Sequence, residues 1–499
     1  MAKQVSPGVL ALRKVVDDVY ADAREAKKQG KLVGWSSSKF PCELAEAFDL
    51  NVMYPENQAA GIAAQRDGEI MCQAAEDLGF DNDICGYARI SLAYAAGKRA
   101  SRKFDPETLE FIIDPNSGKP LKDENGKVVI DPETGKPKKD PKTQVPYTVL
   151  DDIHEIEALP ETTEKEIAYK NFRREAIKPY KQMRIPQPDF VLCCNNICNC
   201  MTKWYENIAR MCNIPLIMVD IPYNNTVEVS DSAVKYVRAQ FDNAIHELEK
   251  LTGKKFDEKK FELACKHANR TAQNWLKVCD FLQYKPAPMS GFDLFNHMAD
   301  VVTARGKEAA ADAFELLSKD LQKNIEEGTS TLPFPEQYRV MFEGIPCWPK
   351  LPNLFKPLKE NGINVTAVVY APAFGFVYNN MDEMARAYYK APNSVCIEQG
   401  VAWREGICRD NKVDGVLVHY NRSCKPWSGY MAEMQRRFTA DLGVPCAGFD
   451  GDQADPRNFI IRKMQFYLFQ SLACRVWSRL WKPTRKTKEA CKNEYRSYR

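Results

Sequence analysis

The sequence contains no long uncharged apolar run, which excludes an ordinary membrane-spanning helix as an expected element. Its first residues, Met1-Ala-Lys-Gln-Val-Ser-Pro7, lack the apolar core of a secretory leader, so the expected compartment is the cytoplasm. There is no Gly-x-x-x-x-Gly-Lys-Ser/Thr loop, so the chain is not expected to hydrolyse ATP itself. No Gly-x-Gly-x-x-Gly follows a strand, and no Gly-x-Ser-x-Gly elbow is present. Histidine is scarce: His154, His246, His267, His297 and His419 form no metal-binding pair, and His419 reads as a structural strand-end residue. Excess charge is lacking too. A formal net charge of +3 points neither to nucleic acid nor to an anionic membrane.

The 499 residues suffice for two or three domains, and 44% hydrophobic with 27% charged residues is ordinary globular usage. Cysteine is plentiful, at 17. The odd number and the large chain argue against a disulfide framework. Cys72, Cys212, Cys265, Cys279, Cys396 and Cys408 sit among apolar neighbours and read as small buried hydrophobes. Cys85, Cys193, Cys194, Cys198, Cys200 and Cys424 lie instead at strand ends or in polar loops. Strand ends are where open α/β sheets gather ligands, because helix N-termini and their free N–H groups face the loop.

Periodicity predicts an amphipathic helix near Val9–Lys28, a short strand within 31–41 and another within 49–57. Ser36, Ser37 and Ser38 read either as turn and cap residues or as functional hydroxyls; Glu56 reads either as a first-turn helix carboxylate or as a base. Cys85 precedes an apolar helix, a placement expected to lower its thiol pKa. Residues 98–151 turn abruptly to Lys, Asp, Pro and Gly, with the near-repeats Ile113-Asp-Pro-Asn-Ser-Gly-Lys-Pro and Ile130-Asp-Pro-Glu-Thr-Gly-Lys-Pro, and predict either turn-rich hairpin-like pieces or a mobile insertion, without a catalytic role. Buried-type strands follow at Asp189–Cys194 and within 214–222, then long helices up to Asn324, then a second α/β series from Tyr338.

The second series repeats the first. Asn195-x-x-Cys198 follows one strand and Asn421-x-x-Cys424 another; Pro215 leads five residues on to Asp220 as Pro445 leads to Asp450. The expected fold class is therefore α/β, with two similar doubly wound, Rossmann- or flavodoxin-like domains of parallel sheet. The expected divisions are an N-terminal segment over 1–100 packing on the first domain, the insertion over 101–160, a first domain with helical extension over 161–330, a second domain over 331–459 and a basic tail over 460–499. If the strand ends of the two domains face each other, Cys198 and Cys424 meet in the cleft and Cys85 can join them. Three thiolates without a histidine favour an iron–sulfur cluster over zinc and leave one iron open as a Lewis acid.

Gly34-Trp-Ser-Ser-Ser-Lys-Phe-Pro-Cys-Glu-Leu44, Tyr54-Pro-Glu-Asn-Gln-Ala-Ala-Gly61, Cys85-Gly-Tyr-Ala-Arg89, Cys193-Cys-Asn-Asn-Ile-Cys198, Phe342-Glu-Gly-Ile-Pro-Cys-Trp348, Asn421-Arg-Ser-Cys-Lys425 and Gly448-Phe-Asp-Gly-Asp-Gln-Ala-Asp-Pro-Arg457 closely resemble the α subunit of the 2-hydroxyacyl-CoA dehydratases. The resemblance covers about residues 4–459. It implies a [4Fe–4S] cluster on Cys85, Cys198 and Cys424, with Ser38 and Glu56 handling the hydroxyl and protons of a 2-hydroxyacyl-CoA substrate. It also implies a β subunit with its own iron–sulfur cluster, and a transient ATP-dependent iron–sulfur activator that delivers one electron. FMN in the complex is left open. The implied reaction adds an electron to the thioester carbonyl, and the resulting ketyl radical expels the hydroxyl.

Two other readings stand beside it: a scaffold or electron-relay subunit, favoured if Cys194 or Cys200 supplies a fourth ligand, and reduction of an aromatic acyl-CoA. Ser38 and Glu56 in their motifs favour dehydration. The basic stretch 460–499 departs from the family pattern, and a frameshift is expected there, with a genuine partner-binding tail as the alternative.

Overall fold

The computed structural model describes residues 5–332 and 334–459, so the expectations for the tail lie outside the described residues. Ten strands are described: β1 (Val33–Ser36), β2 (Asn51–Met53), β3 (Lys98–Arg102), β4 (Thr148–Asp152), β5 (Phe190–Cys194), β6 (Leu216–Val219), β7 (Tyr338–Glu343), β8 (Ile363–Val368), β9 (Gly415–His419) and β10 (Cys446–Phe449). They form two four-stranded sheets, ordered β2-β1-β5-β6 and β10-β9-β7-β8, and one two-stranded ribbon of β3 and β4. All pairs in the two larger sheets are parallel. Both are doubly wound α/β units, as the strand–helix alternation predicted.

Parallel strands covered on both faces read as continuous apolar runs, and every residue of β5 and β9 is buried. The two-residue repeat of an extended chain divides β5: Val191 and Cys193 enter one core, while Phe190, Leu192 and Cys194 enter another. The second core also takes Phe376, Met384 and Tyr388 from beyond the first domain, with Val237 and Phe241 of helix Asp231–Thr252.

One expectation needs correction. Residues 1–100 do not simply pack on the first domain; they supply half of its sheet. β1 pairs with β5 through Gly34–Phe190, Trp35–Val191 and Ser36–Leu192, and β2 pairs with β1 in turn. Strands of four and three residues cannot bury themselves, and β5 provides the ladder they need. A Cβ at Gly34 would lie 2.3 Å from the Phe190 ring, so glycine is required for this approach.

The N-terminal helix Pro7–Lys28 begins at Ser6, whose hydroxyl accepts the Val9 amide, and buries Leu12, Val15, Val16, Val19 and Tyr20. It packs against helices Gly291–Thr303 and Glu308–Glu326. Residues 98–152 form the expected hairpin-like arm: β3 pairs antiparallel with β4, and isolated bridges join Ile113 to Pro146, Pro120 to Lys139 and Ile130 to Pro137.

A buried ion pair steadies the second domain below its strand ends. Arg404 Nε lies 2.9 Å from Glu343 Oε1, both side chains are fully buried, and the guanidinium also sits 5.0 Å and 5.4 Å from the Tyr430 and Trp427 rings. Removing one partner strands the other charge in the core. Arg404→Met is expected to destabilise the chain by about 3–5 kcal/mol in urea denaturation, and adding Glu343→Leu to recover most of that loss. Equal losses in the single and double variants would contradict the pairing.

Candidate active site

Cys85, Cys198 and Cys424 occupy equivalent local positions: each is the residue immediately before a helix, at Gly86–Ala95, Asn199–Cys212 and Lys425–Ser428. The two Asn-x-x-Cys loops leave the C-terminal ends of β5 and β9, as the repeat predicted. Each asparagine ties its loop to a neighbouring strand end. Asn195 accepts the Ile221 amide at 2.7 Å and donates to Asp220; Asn421 accepts the Ile345 amide at 2.9 Å and donates to the Ile345 carbonyl at 3.1 Å. Gly344, at φ +125°, makes the second crossing feasible, because a Cβ there would stand 2.7 Å from the His419 carbonyl. His419 is buried, stacks on Phe449 and bonds through Nδ1 to Ile345 O at 2.6 Å, the structural role expected of it.

Cys85 reaches this point through contacts with the second domain. The Gly86 amide donates to Ser423 Oγ at 2.9 Å, and Gln453 Nε2 donates to Ser423 Oγ and to Cys85 Sγ, each at 3.3 Å. Arg89, three residues into the helix, pairs with Glu76 at 2.6 Å and Asp455 at 3.0 Å. The Gly448–Arg457 motif is thus a clamp on helix Gly86–Ala95. Nothing in its sequence spacing announces that role.

The three thiols line one cavity of about 70 Å³ together with Ser38, Glu56, Tyr87, Trp204, Tyr370 and Trp427. They also line an outer cleft of about 860 Å³, which Cys200 shares. A separate cleft of about 890 Å³ reaches Ser38 and Glu56 from the side of the N-terminal helix. Cys193 and Cys194 point away: Cys194 meets Ser37 Oγ and Asn196 Oδ1, and Cys193 faces the Met201 carbonyl.

Glu56 occupies the first turn of helix Pro55–Ala64, the first of the two positions read for it from sequence, and faces the cavity. The Ser38 amide donates to its Oε1 at 2.9 Å, and the Tyr205 hydroxyl lies 2.7 Å from Oε2. Burial raises the Glu56 pKa above the usual carboxylate value, opposed by the Ser38 amide and the Tyr205 hydroxyl. Tyr205 was not among the residues singled out from sequence; a tyrosine seven residues into an amphipathic helix carries no signal of its own.

The thiols differ from expectation in one respect. Burial raises the Cys85 pKa well above that of a free thiol, with Cys200, Cys424 and Cys198 adding to the effect, and the Ala88 amide opposes it only in part. Burial likewise raises Cys198, and pushes Cys424 up to about 12. The helix N-terminus does not prevail over desolvation beside other thiols.

Among the described residues, no three His, Cys, Asp or Glu side chains stand close enough to hold a single metal ion. Tetrahedral zinc would draw its sulfurs to about 3.8 Å from one another, given Zn–S bonds of about 2.3 Å. Cys85, Cys198 and Cys424 around one pocket, with a polar donor on Cys85 and apolar walls, are the soft donors that could hold a metal centre here.

A scaffold of two doubly wound domains with thiols at facing strand ends defines an α/β protein whose site is composite, and the sequence comparisons specify which. The chain belongs to the 2-hydroxyglutaryl-CoA dehydratase, D-component family, whose model matches residues 157–466. It is 70% identical over 459 residues, 92% of this chain and 95% of the relative, to the (R)-2-hydroxyglutaryl-CoA dehydratase subunit alpha of Acidaminococcus fermentans. It is 42% identical to the (R)-phenyllactyl-CoA dehydratase alpha subunit of Clostridium sporogenes, over 90% of each chain. It is 40% identical to the (R)-2-hydroxyisocaproyl-CoA dehydratase alpha subunit of Clostridioides difficile, over 90% of this chain and 92% of the relative.

Thiol burial is directly measurable. In metal-free reduced protein at pH 8, iodoacetamide is expected to label Cys200 faster than Cys85, Cys198 or Cys424, since burial raises all four thiols but Cys200 less than the others, and only the thiolate fraction reacts. Peptide mass spectrometry over time checks this, and equal rates at all four would contradict the burial described.

Proposed function

We propose that this chain is the α subunit of a cytoplasmic 2-hydroxyacyl-CoA dehydratase that removes water from (R)-2-hydroxyglutaryl-CoA to give glutaconyl-CoA. The observation that carries the reading is the shared cavity. Three cysteines from three separate segments open onto the same space as Ser38 and the buried carboxylate of Glu56. Cys85, Cys198 and Cys424 would hold a [4Fe–4S] cluster, with Gln453 donating to the Cys85 sulfur. When bound, such a cluster supplies an open iron as a Lewis acid for the substrate's α-hydroxyl.

The substrate's β-hydrogen is not acidic, and its α-hydroxyl is a poor leaving group, so acid–base chemistry alone is insufficient. One electron, delivered to the thioester carbonyl by a separate ATP-driven iron–sulfur activator, gives a ketyl radical anion that expels the hydroxyl. The β-proton of the product radical is acidic enough for a carboxylate, and Glu56 accepts it. The electron is then returned. Ser38 holds Glu56 Oε1 through its amide, and Tyr205 steadies Oε2, so the base is fixed before the substrate arrives. Trp204, Tyr370, Phe374 and Trp427 wall the cavity and keep water from the radical. The 890 Å³ cleft reaching Glu56 has the volume to admit an acyl-CoA thioester. The partner is a β subunit with its own cluster.

Cys200 keeps the electron-relay reading alive, because it shares the outer cleft with the other three thiols. Anaerobic purification with the β subunit, followed by iron and sulfide analysis and activator-dependent turnover, separates the two. Cys85→Ala, Cys198→Ala and Cys424→Ala are expected to lose most of the α-chain iron, Cys200→Ala to retain iron and turnover. Iron loss in Cys200→Ala would favour a four-cysteine relay, and an iron-free wild-type α chain would overturn the proposal.

Glu56→Gln is expected to lower kcat by about 10²–10⁴-fold. Tyr205→Phe removes a bond that favours the carboxylate, so the Glu56 pKa rises further. A base must be ionised to act, so the acid limb of the kcat–pH profile moves to higher pH in Tyr205→Phe. A limb that stays in place, or moves to lower pH, would remove Glu56 from this role.

A further inference from the structure

The active-site cavity contains one charge that the proton and cluster chemistry does not use. Among the described residues lining it, Glu56 is the one carboxylate and Lys39 the one cation. Lys39 is 2% exposed. Its ammonium donates to the Ala373 carbonyl at 2.6 Å and lies 4.8 Å and 5.1 Å from the Phe374 and Phe376 rings. No carboxylate stands within ion-pair distance of it among the described residues. The neighbouring buried cation is differently placed: Arg305 bonds to the Tyr388 hydroxyl at 2.8 Å and lies 3.8 Å from Glu43.

A buried ammonium with one carbonyl and two ring faces leaves donors over and carries a desolvation cost that an opposite charge would offset. The described residues supply no such charge within ion-pair distance. Burial, followed by repulsion from Arg305, lowers the Lys39 pKa to about 7, so the site holds its cation weakly until an anion enters. A cavity lined by aromatic rings and a buried ammonium suits an acyl chain with a negative end.

We propose that Lys39 is the specificity-determining residue that pairs with the distal carboxylate of a 2-hydroxy dicarboxylic acyl thioester. The assignment rests on the dehydratase reading and deepens it: Ser38 and Glu56 serve the carbons that react, and the adjacent residue reads the far end of the same chain.

The test compares two thioesters on the complete α–β complex with its activator under anaerobic conditions. One is (R)-2-hydroxyglutaryl-CoA; the other is its neutral isostere with the distal carboxylate replaced by a primary carboxamide. Wild type should favour the carboxylate by about 100-fold in kcat/KM. Lys39→Met should lose that preference, chiefly through KM of the carboxylate substrate. Lys39→Arg should retain part of it. The ratio of the two substrates is unaffected by the fraction of folded enzyme, so poor folding of a variant does not mimic the result. A preference unchanged in Lys39→Met, or absent from wild type, overturns the assignment. If wild type dehydrates neither thioester, the dehydratase reading fails; equilibrium binding of the two thioesters to wild type and Lys39→Met then tests Lys39 separately, and the same affinity ratio in both proteins overturns it.

Discussion

The clamp of the 451–457 loop on helix Gly86–Ala95 is the constraint on which the site depends. Ser423, Asp452 and Gln453 connect the Asn421–Cys424 loop to the Gly86 amide and the Cys85 sulfur, and Asp455 with Glu76 receives Arg89 behind it. A charge pair between side chains as buried as Arg89 and Asp455 is costly to separate, so the helix start cannot drift from the second domain. Close packing adds to this: a Cβ at Gly68 would stand 2.1 Å from the Ala454 carbonyl. Without the clamp, Cys85 belongs to one domain and Cys424 to the other, with no common geometry.

The two halves of the cavity are held by different physics. The thiol side rests on three helix starts, two of them fixed by asparagines at strand ends and the third by Ser423 and Gln453. The carboxylate side rests on a short helix turn and two hydrogen bonds, in surroundings that burial makes unfavourable for charge. Under the proposed function, cofactor retention calls for the first, and proton transfer with a tunable pKa calls for the second. Lys39, next to Ser38 in the chain, joins them with no carboxylate partner among the described residues.

Much of the fold was legible in the amino acids. Fully apolar stretches such as Phe190–Cys194 declare strands covered on both faces, and paired Asn-x-x-Cys loops declare a repeated domain, because parallel-sheet burial and strand-end geometry both act locally. The partition of the first domain was not legible. β1 and β5 are separated by the hairpin arm, and their pairing is a long-range contact that no local pattern encodes. The lowered Cys85 pKa expected from a helix N-terminus was reversed for the same kind of reason: desolvation depends on neighbours from distant segments.

The sequence by itself determined the secondary structure, the α/β class and the set of thiols, because these follow from residue type, periodicity and spacing along the chain. Only the tertiary structure decided that Tyr205 holds Glu56, that Gln453 touches Cys85, and that Lys39 is buried in the lining of the same cavity. Each of these is a meeting of side chains from remote segments, and its energy depends on burial and exclusion of water, quantities that exist only once the chain has closed around the site.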